Sequence, residues 1–188
     1  MRAVGLLFAL TGVFLLPLRA QSMEVPVETQ IPLLLKLLSF DRNFRERAGG
    51  ELVIAILFQG GNRESVNVKS EVEAAIRKSA TAVAGLPLRA VLIDLDEEAD
   101  LVSVLTARTV VVMYVGPLRA IDIRELTRAS RRAQVRSFSG VPRYVEQGIA
   151  LGLGLRGDMP QIIINLPAAQ EEGADYGAQM LKLARVIR

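Results

Sequence analysis

Residues Leu52–Phe58 read LVIAILF, an unbroken apolar run with no polar residue alternating through it. A strand with one face in water alternates apolar and polar side chains. A continuous run needs cover on both faces, and a parallel sheet flanked by helices supplies it. The segments around this run follow the same plan. Helical spacing of apolar residues predicts a first helix over 27–44, with Thr29 as its N-cap and Pro32 in its first turn. Further helices are predicted over 65–84, 97–107 and 122–133, alternating with strands over 88–95, 109–115 and 135–139. After a helical turn ending at Gly148, residues 149–156 and 161–165 read as two strands of an antiparallel hairpin, and 175–187 as a terminal helix. The order predicts one three-layer α/β domain spanning 21–188. Its sheet is mostly parallel, with helices on both faces, a C-terminal antiparallel hairpin and a terminal helix.

Residues 1–20 stand apart from this plan. Arg2 precedes an apolar stretch over 3–16, and Pro17, Leu18, Arg19 and Ala20 follow. A single charge, an apolar core of about 14 residues and a small residue at the end form an export signal, whereas a spanning helix needs about 20 residues. The expected product is a soluble protein outside the cytoplasm, in a bacterial periplasm. The chain has no cysteine, so it can form no disulfide, thiol switch or thiol-linked lipid. It also has no histidine, which excludes the usual zinc sites and the Ser-His-Asp and Cys-His nucleophiles. Lys and Arg number 23 against 20 Asp and Glu, and two of the basic residues lie in the segment expected to be removed. Such a balance gives no basic surface for nucleic acid, and none is expected as a partner.

Three constellations could carry function. Gly152, Gly154 and Gly157 spell G-x-G-x-x-G, but an extended segment follows them where a dinucleotide fingerprint needs a helix. Alternation along the strand places Gly152 and Gly154 on one face, where the missing side chains let another element approach closely. Asp94, Asp96, Glu97, Glu98 and Asp100 crowd the end of the second strand, where open α/β sheets bind ligands. Asp94 and Asp96 are the ligand-binding candidates there. The competing reading makes Asp96 the cap of a helix starting at Glu97, with its neighbours facing the positive end of the dipole. Arg124, Arg128, Arg131 and Arg132, with Arg136 and Arg143, form the basic concentration, read either as a solvated helix face or as a surface for an acidic protein partner or an anionic ligand. Arg156-Gly157-Asp158 fits a hairpin turn, for which Gly and Asp are ordinary residues. No metal site, cofactor or catalytic residue is assigned, since no nucleophile, base and orienting group converge.

From Val135 onward the chain resembles the closing segment of the YfiR-like (HmsC-like) periplasmic proteins. The resemblance rests on Gly148 in the turn, on Ile163, Asn165, Leu166, Ala168 and Ala169 at the strand exit, and on Leu181, Leu183, Ala184 and Val186 at the C-terminus. It implies a regulatory protein, not an enzyme, which binds the periplasmic domain of a membrane protein. The implied partner class is a membrane-bound diguanylate cyclase, whose repression lowers cyclic di-GMP and biofilm output. The chain departs from the family in lacking cysteine pairs, in reading LLSFDRNF over 37–44 where an aromatic motif is usual, and in having one turn glycine in place of two. Loop position and the anchoring qualities of Tyr and Arg select Phe138, Arg143, Tyr144 and Glu146 as partner-contact residues. A homodimer is left open. The alternative is a periplasmic small-ligand-binding domain using Asp94, Asp96 or the face of Gly152 and Gly154, and a second rival is an enzyme using the acidic cluster.

Overall fold

The side chains of Leu52 to Leu57 are all buried, and they divide alternately between two cores. Leu52, Ile54 and Ile56 pack on one side of the sheet; Val53, Ala55 and Leu57 pack on the other. The computed structural model describes residues 22–79 and 85–188, so the expected export segment lies outside the described residues. Within them the order is α1 (Val27–Leu38), α2 (Phe44–Ala48), β1 (Leu52–Phe58), α3 (Arg63–Lys78), β2 (Leu88–Asp94), α4 (Leu101–Ala107), β3 (Val112–Val115) and α5 (Ile123–Ala133). Then come β4 (Arg136–Ser139), α6 (Pro142–Glu146), β5 (Leu151–Arg156), β6 (Met159–Asn165), α7 (Leu166–Glu171), α8 (Ala178–Leu183) and β7 (Arg185–Ile187).

The strands form one sheet in the order β2-β1-β3-β4-β5-β6-β7. From β2 to β5 all neighbours pair in parallel, β6 runs antiparallel to β5, and β7 returns parallel to β6. Helices α1 and α3 cover one face; α4 and α5 cover the other. This is the α/β architecture expected from the apolar run and the alternating elements. The chain steps outward from β1 to β2 and then crosses back to β3 on the other side of β1. The switch point, where such sheets open a crevice at the carboxyl ends of the strands, therefore falls between β1 and β3. Gly157, at φ +62°, is the first residue of the two-residue loop joining β5 to β6, as a II′ hairpin turn requires.

Four local expectations are corrected. Helix α1 begins at Val27 after Pro26, so Thr29 is not its cap, and Pro32 lies in its second turn. Pro32 is exposed, where a carbonyl deprived of its helical partner can meet water. The same helix stops at Leu38, not near Phe44, because Asp41 turns inward and Phe44 starts the separate helix α2. Helix α4 starts at Leu101, and Asp100, not Asp96, caps it: its carboxylate accepts from Ser103 N (3.1 Å) and Ser103 Oγ (2.6 Å). These bonds hold the exposed Asp100 carboxyl below its ordinary pKa. Finally, the predicted terminal helix is divided. Helix α8 ends at Leu183, and residues 185–187 add β7 to the open edge of β6, whose backbone groups need partners that β-branched Val186 and Ile187 suit.

Candidate binding face at the carboxyl ends of the strands

The loops after β1, β2, β3 and β4 and the tip of the β5–β6 hairpin all emerge at one end of the sheet, because β1 to β5 run the same way. Asp94 and Asp96 lie here, but their carboxylates are spent on the backbone. Asp94 Oδ1 accepts from Gly60 N (2.9 Å) and Asp96 N (3.1 Å), and Asp96 Oδ2 accepts from Gly61 N (2.8 Å). A Cβ on Gly60 would overlap the Asp94 carboxylate. Gln59 extends the stitching, donating to Asp96 Oδ1 (3.2 Å) and accepting from Arg119 N. Asp94, Asp96 and Gln59 thus tie together the loops that follow β1, β2 and β3. Among the described residues no three Asp, Glu, His or Cys side chains are placed to hold a metal ion.

Phe138 and Tyr144 are corrected as contact residues, since both are fully buried. Phe138 packs its ring 5.5 Å from that of Tyr114, and the Tyr144 hydroxyl accepts from Leu118 N (3.0 Å) and donates to Leu118 O (3.3 Å). The large apolar bodies that select an aromatic residue as an anchor are filled here by the protein's own core. Burial raises the pKa of both Tyr114 and Tyr144. Arg143 and Glu146, by contrast, are exposed and share a cleft of about 680 Å³ between α6 and the β5–β6 hairpin. Glu146 pairs with Arg185 at 3.0 Å. Arg143 forms no ion pair among the described residues. The cleft wall includes Gly154, Leu155 and Ile163.

The glycine face of β5 is where α6 docks. A Cβ at Gly152 would overlap Val145 Cγ2 and stand 2.8 Å from Ser139 O, and one at Gly154 would lie 3.2 Å from Pro142 Cγ. Since Ser139 O is backbone on the neighbouring strand, it cannot swing aside. Gly152→Ala is therefore expected to destabilise the protein by about 1–3 kcal/mol, read as a lower urea midpoint at unchanged slope.

Residues 22–25 run across this end of the sheet ahead of α1. Met23 packs against both cores, and Val25 is 1% exposed. The Glu24 carboxylate accepts from Leu155 N (2.9 Å), and Gln30 Nε2 donates to Val25 O (2.6 Å). Gln30 is itself buried on α1, where its Oε1 accepts from the Tyr114 hydroxyl (2.8 Å). A Cβ on Gly140 would overlap this Gln30 amide. The strap separates the α6 cleft, lined by Ser22 and Glu24, from a second cleft of about 700 Å³ lined by Met23, Asn62, Arg63, Asn67 and Arg119. Sequence reasoning missed this arrangement, although one signal was available: Gln30 is a polar residue within the otherwise apolar stripe of α1.

The basic concentration is split by the fold. Arg124, Arg128 and Arg132 are exposed on α5, and Arg131 pairs with Glu171 (2.6 Å). Arg136 faces inward, at the opposite end of the sheet, in an ion pair with Asp41 at 2.9 Å. It also donates to Glu172 O (3.1 Å) and Gly173 O (2.9 Å). Beside it the buried Glu172 carboxylate accepts from Ser130 Oγ (2.7 Å), Ser137 Oγ (2.5 Å) and Ser137 N (2.7 Å). Burial pushes the Glu172 carboxyl up to about 7 against the pull of these donors and of Arg131.

The carboxyl end of the sheet thus presents carboxylates bonded to backbone N–H groups, the Glu146–Arg185 pair and the exposed Arg143. The model of a protein family described as YfiR/HmsC-like matches residues 30–185. No curated protein matches the chain. Among solved structures it is similar to a conserved domain protein from Vibrio cholerae (TM-score 0.62, 17% identity, 90% of this chain and 66% of that one). It is also similar to an ABC domain from Streptococcus pneumonia in complex with L-Trp (TM-score 0.60, 17% identity, 86% of this chain and 62% of that one). A third is a substrate binding protein with adhesive properties from Clostridium difficile, in its ligand-free, open form (TM-score 0.53, 16% identity, 78% of this chain and 57% of that one). At such identity the likeness is one of fold, and this chain spans less than two thirds of the length of each.

Proposed function

From the premise that this chain belongs to the YfiR/HmsC-like family, we propose that it is an exported periplasmic regulator that works by binding, without catalysis. In this reading residues 1–20 are removed as a signal peptide, and the partner is the periplasmic domain of a membrane-bound diguanylate cyclase held in a repressed state. Family membership supports a regulatory, periplasmic role in the general sense. Among the described residues no helix is long and apolar enough to cross a membrane. The observation that carries the reading is the carboxyl-end face itself. Asp94 and Asp96 hold the loops after β1 and β2 together, while Arg143 and Glu146 stand exposed on a short helix fixed by the glycine face beneath it.

Titration calorimetry of the purified chain against the periplasmic domain of a co-encoded membrane cyclase tests it, alongside cellular cyclic di-GMP with and without the chain. A complex and a fall in cyclic di-GMP are expected. Reversing both exposed charges, Arg143→Glu with Glu146→Arg, is expected to weaken the complex about tenfold with a changed salt dependence, as charges at an interface rim do. Absence of a complex, or turnover of a substrate by the purified chain, sinks the reading. It also admits a homodimer, which sedimentation equilibrium distinguishes from a monomer.

A further inference from the structure

We propose that the groove holding residues 22–25 is a peptide-binding site filled in cis by the chain's own strap, and that the partner segment which replaces the strap is extended and reads apolar–acidic–apolar. The inference deepens the binding role above and rests on it. Two observations carry it. The first is how the strap is held: a buried amide, Gln30 Nε2, donates to the main-chain carbonyl of Val25, and the end of β5 donates its Leu155 N–H to the Glu24 carboxylate. These contacts read a backbone and one acidic side chain, and Met23 fills an apolar seat between the two cores. Any extended segment with an apolar, an acidic and an apolar residue presents the same groups.

The second is what flanks the strap. Clefts continue on both sides of it, and the one at Ser22 contains Arg143, without an ion-pair partner among the described residues, beside the Glu146–Arg185 pair. A partner segment with one further acidic residue ahead of its central one therefore finds a complementary charge in Arg143. A cis strap acts at an effective concentration in the millimolar range, so it screens the site from weak competitors and yields to a tighter segment. A Cβ on Gly154 would lie 3.3 Å from Glu24 Oε2, so glycine there keeps the seat of the acidic group open.

The test uses the full expected mature chain and the fluorescein-labelled peptide Ser-Met-Glu-Val-Pro-Val. A Met23→Gly/Glu24→Gly variant loosens the strap without shortening the chain. Anisotropy is expected to show the peptide binding this variant at least about tenfold tighter than the intact protein, since occupied sites lower apparent affinity by the fraction that is open. Amide exchange at Leu155 is expected to be slow in the intact protein, faster in the variant and slow again with peptide. Should the double variant not fold, Glu24→Gln alone keeps the Met23 packing and is expected to speed Leu155 exchange. Equal peptide affinity for intact and folded variant protein, no binding to a folded variant, or Leu155 exchange unchanged by Glu24→Gln overturns the inference. Dimerisation through exchanged straps, seen by sedimentation, overturns the partner segment in favour of a second copy. Peptide binding without any complex with a membrane-anchored domain removes the proposed function and leaves the site; the reverse result removes the site alone.

Discussion

Replacing Arg136 by Met is expected to cost about 3–5 kcal/mol of folding stability, the amount typical of breaking a buried ion pair from one side. The Arg136 side chain is 3% exposed and that of Asp41 is fully buried, so Met would leave a carboxylate without its countercharge where water cannot replace it. The loss spreads further than one bond. Arg136 also donates to the carbonyls of Glu172 and Gly173, while Asp41 Oδ1 accepts from Asn43 N (3.0 Å) and Asp175 N (2.9 Å). One guanidinium thus joins β4 to the end of α7 and, through Asp41, to the loop after α1. Urea unfolding at neutral pH measures the loss, and for a domain of this size the melting temperature should fall by about 10 °C. Adding Asp41→Asn to Arg136→Met removes the stranded charge, so the double variant should lose clearly less than the sum of the two single losses. Additive losses would mean that the two side chains do not act as a pair.

Stability is also expected to fall as pH rises from about 5 to 8, with Glu172 as the cause. In the folded state its carboxyl is pushed up to about 7, chiefly by burial, against an ordinary value of 4.5. A carboxyl with a raised folded-state pKa makes the unfolded chain release its proton first, so in this window the folded state holds more protons than the unfolded one. The slope of stability against pH is then negative. Its contribution is fully present below about pH 4.5 and lost as pH climbs through 7, and each pKa unit corresponds to about 1.4 kcal/mol. A total of about 3 kcal/mol is expected across the window. Urea titrations at pH 5 and pH 8 measure it, and Glu172→Gln should flatten the dependence, because an amide fills the space without titrating. An equal slope in the variant would assign the effect to other groups.

Arg136 and Glu172 also mark where sequence reasoning stops. A basic residue four places after Arg132 reads as part of the same exposed stretch, and only strand pairing shows that the chain has left α5 and turned inward at β4. The same holds for Phe138 and Tyr144. An aromatic residue next to loops is a good anchor for a partner, and equally a good plug for the end of a core. Burial decides between the two: Phe138 lies in the core shared with α1 and α3, and α6 carries Tyr144 into the core on the opposite face. Asp96 reads in the sequence as the cap of the next helix, yet it does not cap α4, and its carboxylate instead accepts from Gly61 N because the loop after β1 comes close to it. For the strap, the one legible trace was a glutamine on an apolar stripe.

The sequence by itself determined the layered α/β plan: the run at 52–58, the alternation of short β-rich and amphipathic segments, the glycine-bearing strand and the hairpin turn all follow from patterning over a few neighbouring residues. Hydrophobic period and turn chemistry are local, so they are written along the chain. Only the tertiary structure decided which charges are buried, which aromatic residues are core, that residues 185–187 pair as a strand, and that residues 22–25 lie across the carboxyl ends of the strands. Those outcomes depend on contacts between segments distant in sequence, such as Asp41 with Arg136 and Glu24 with Leu155. A side chain's solvation and hydrogen-bond partners are set by what the fold brings beside it, and no local pattern records that.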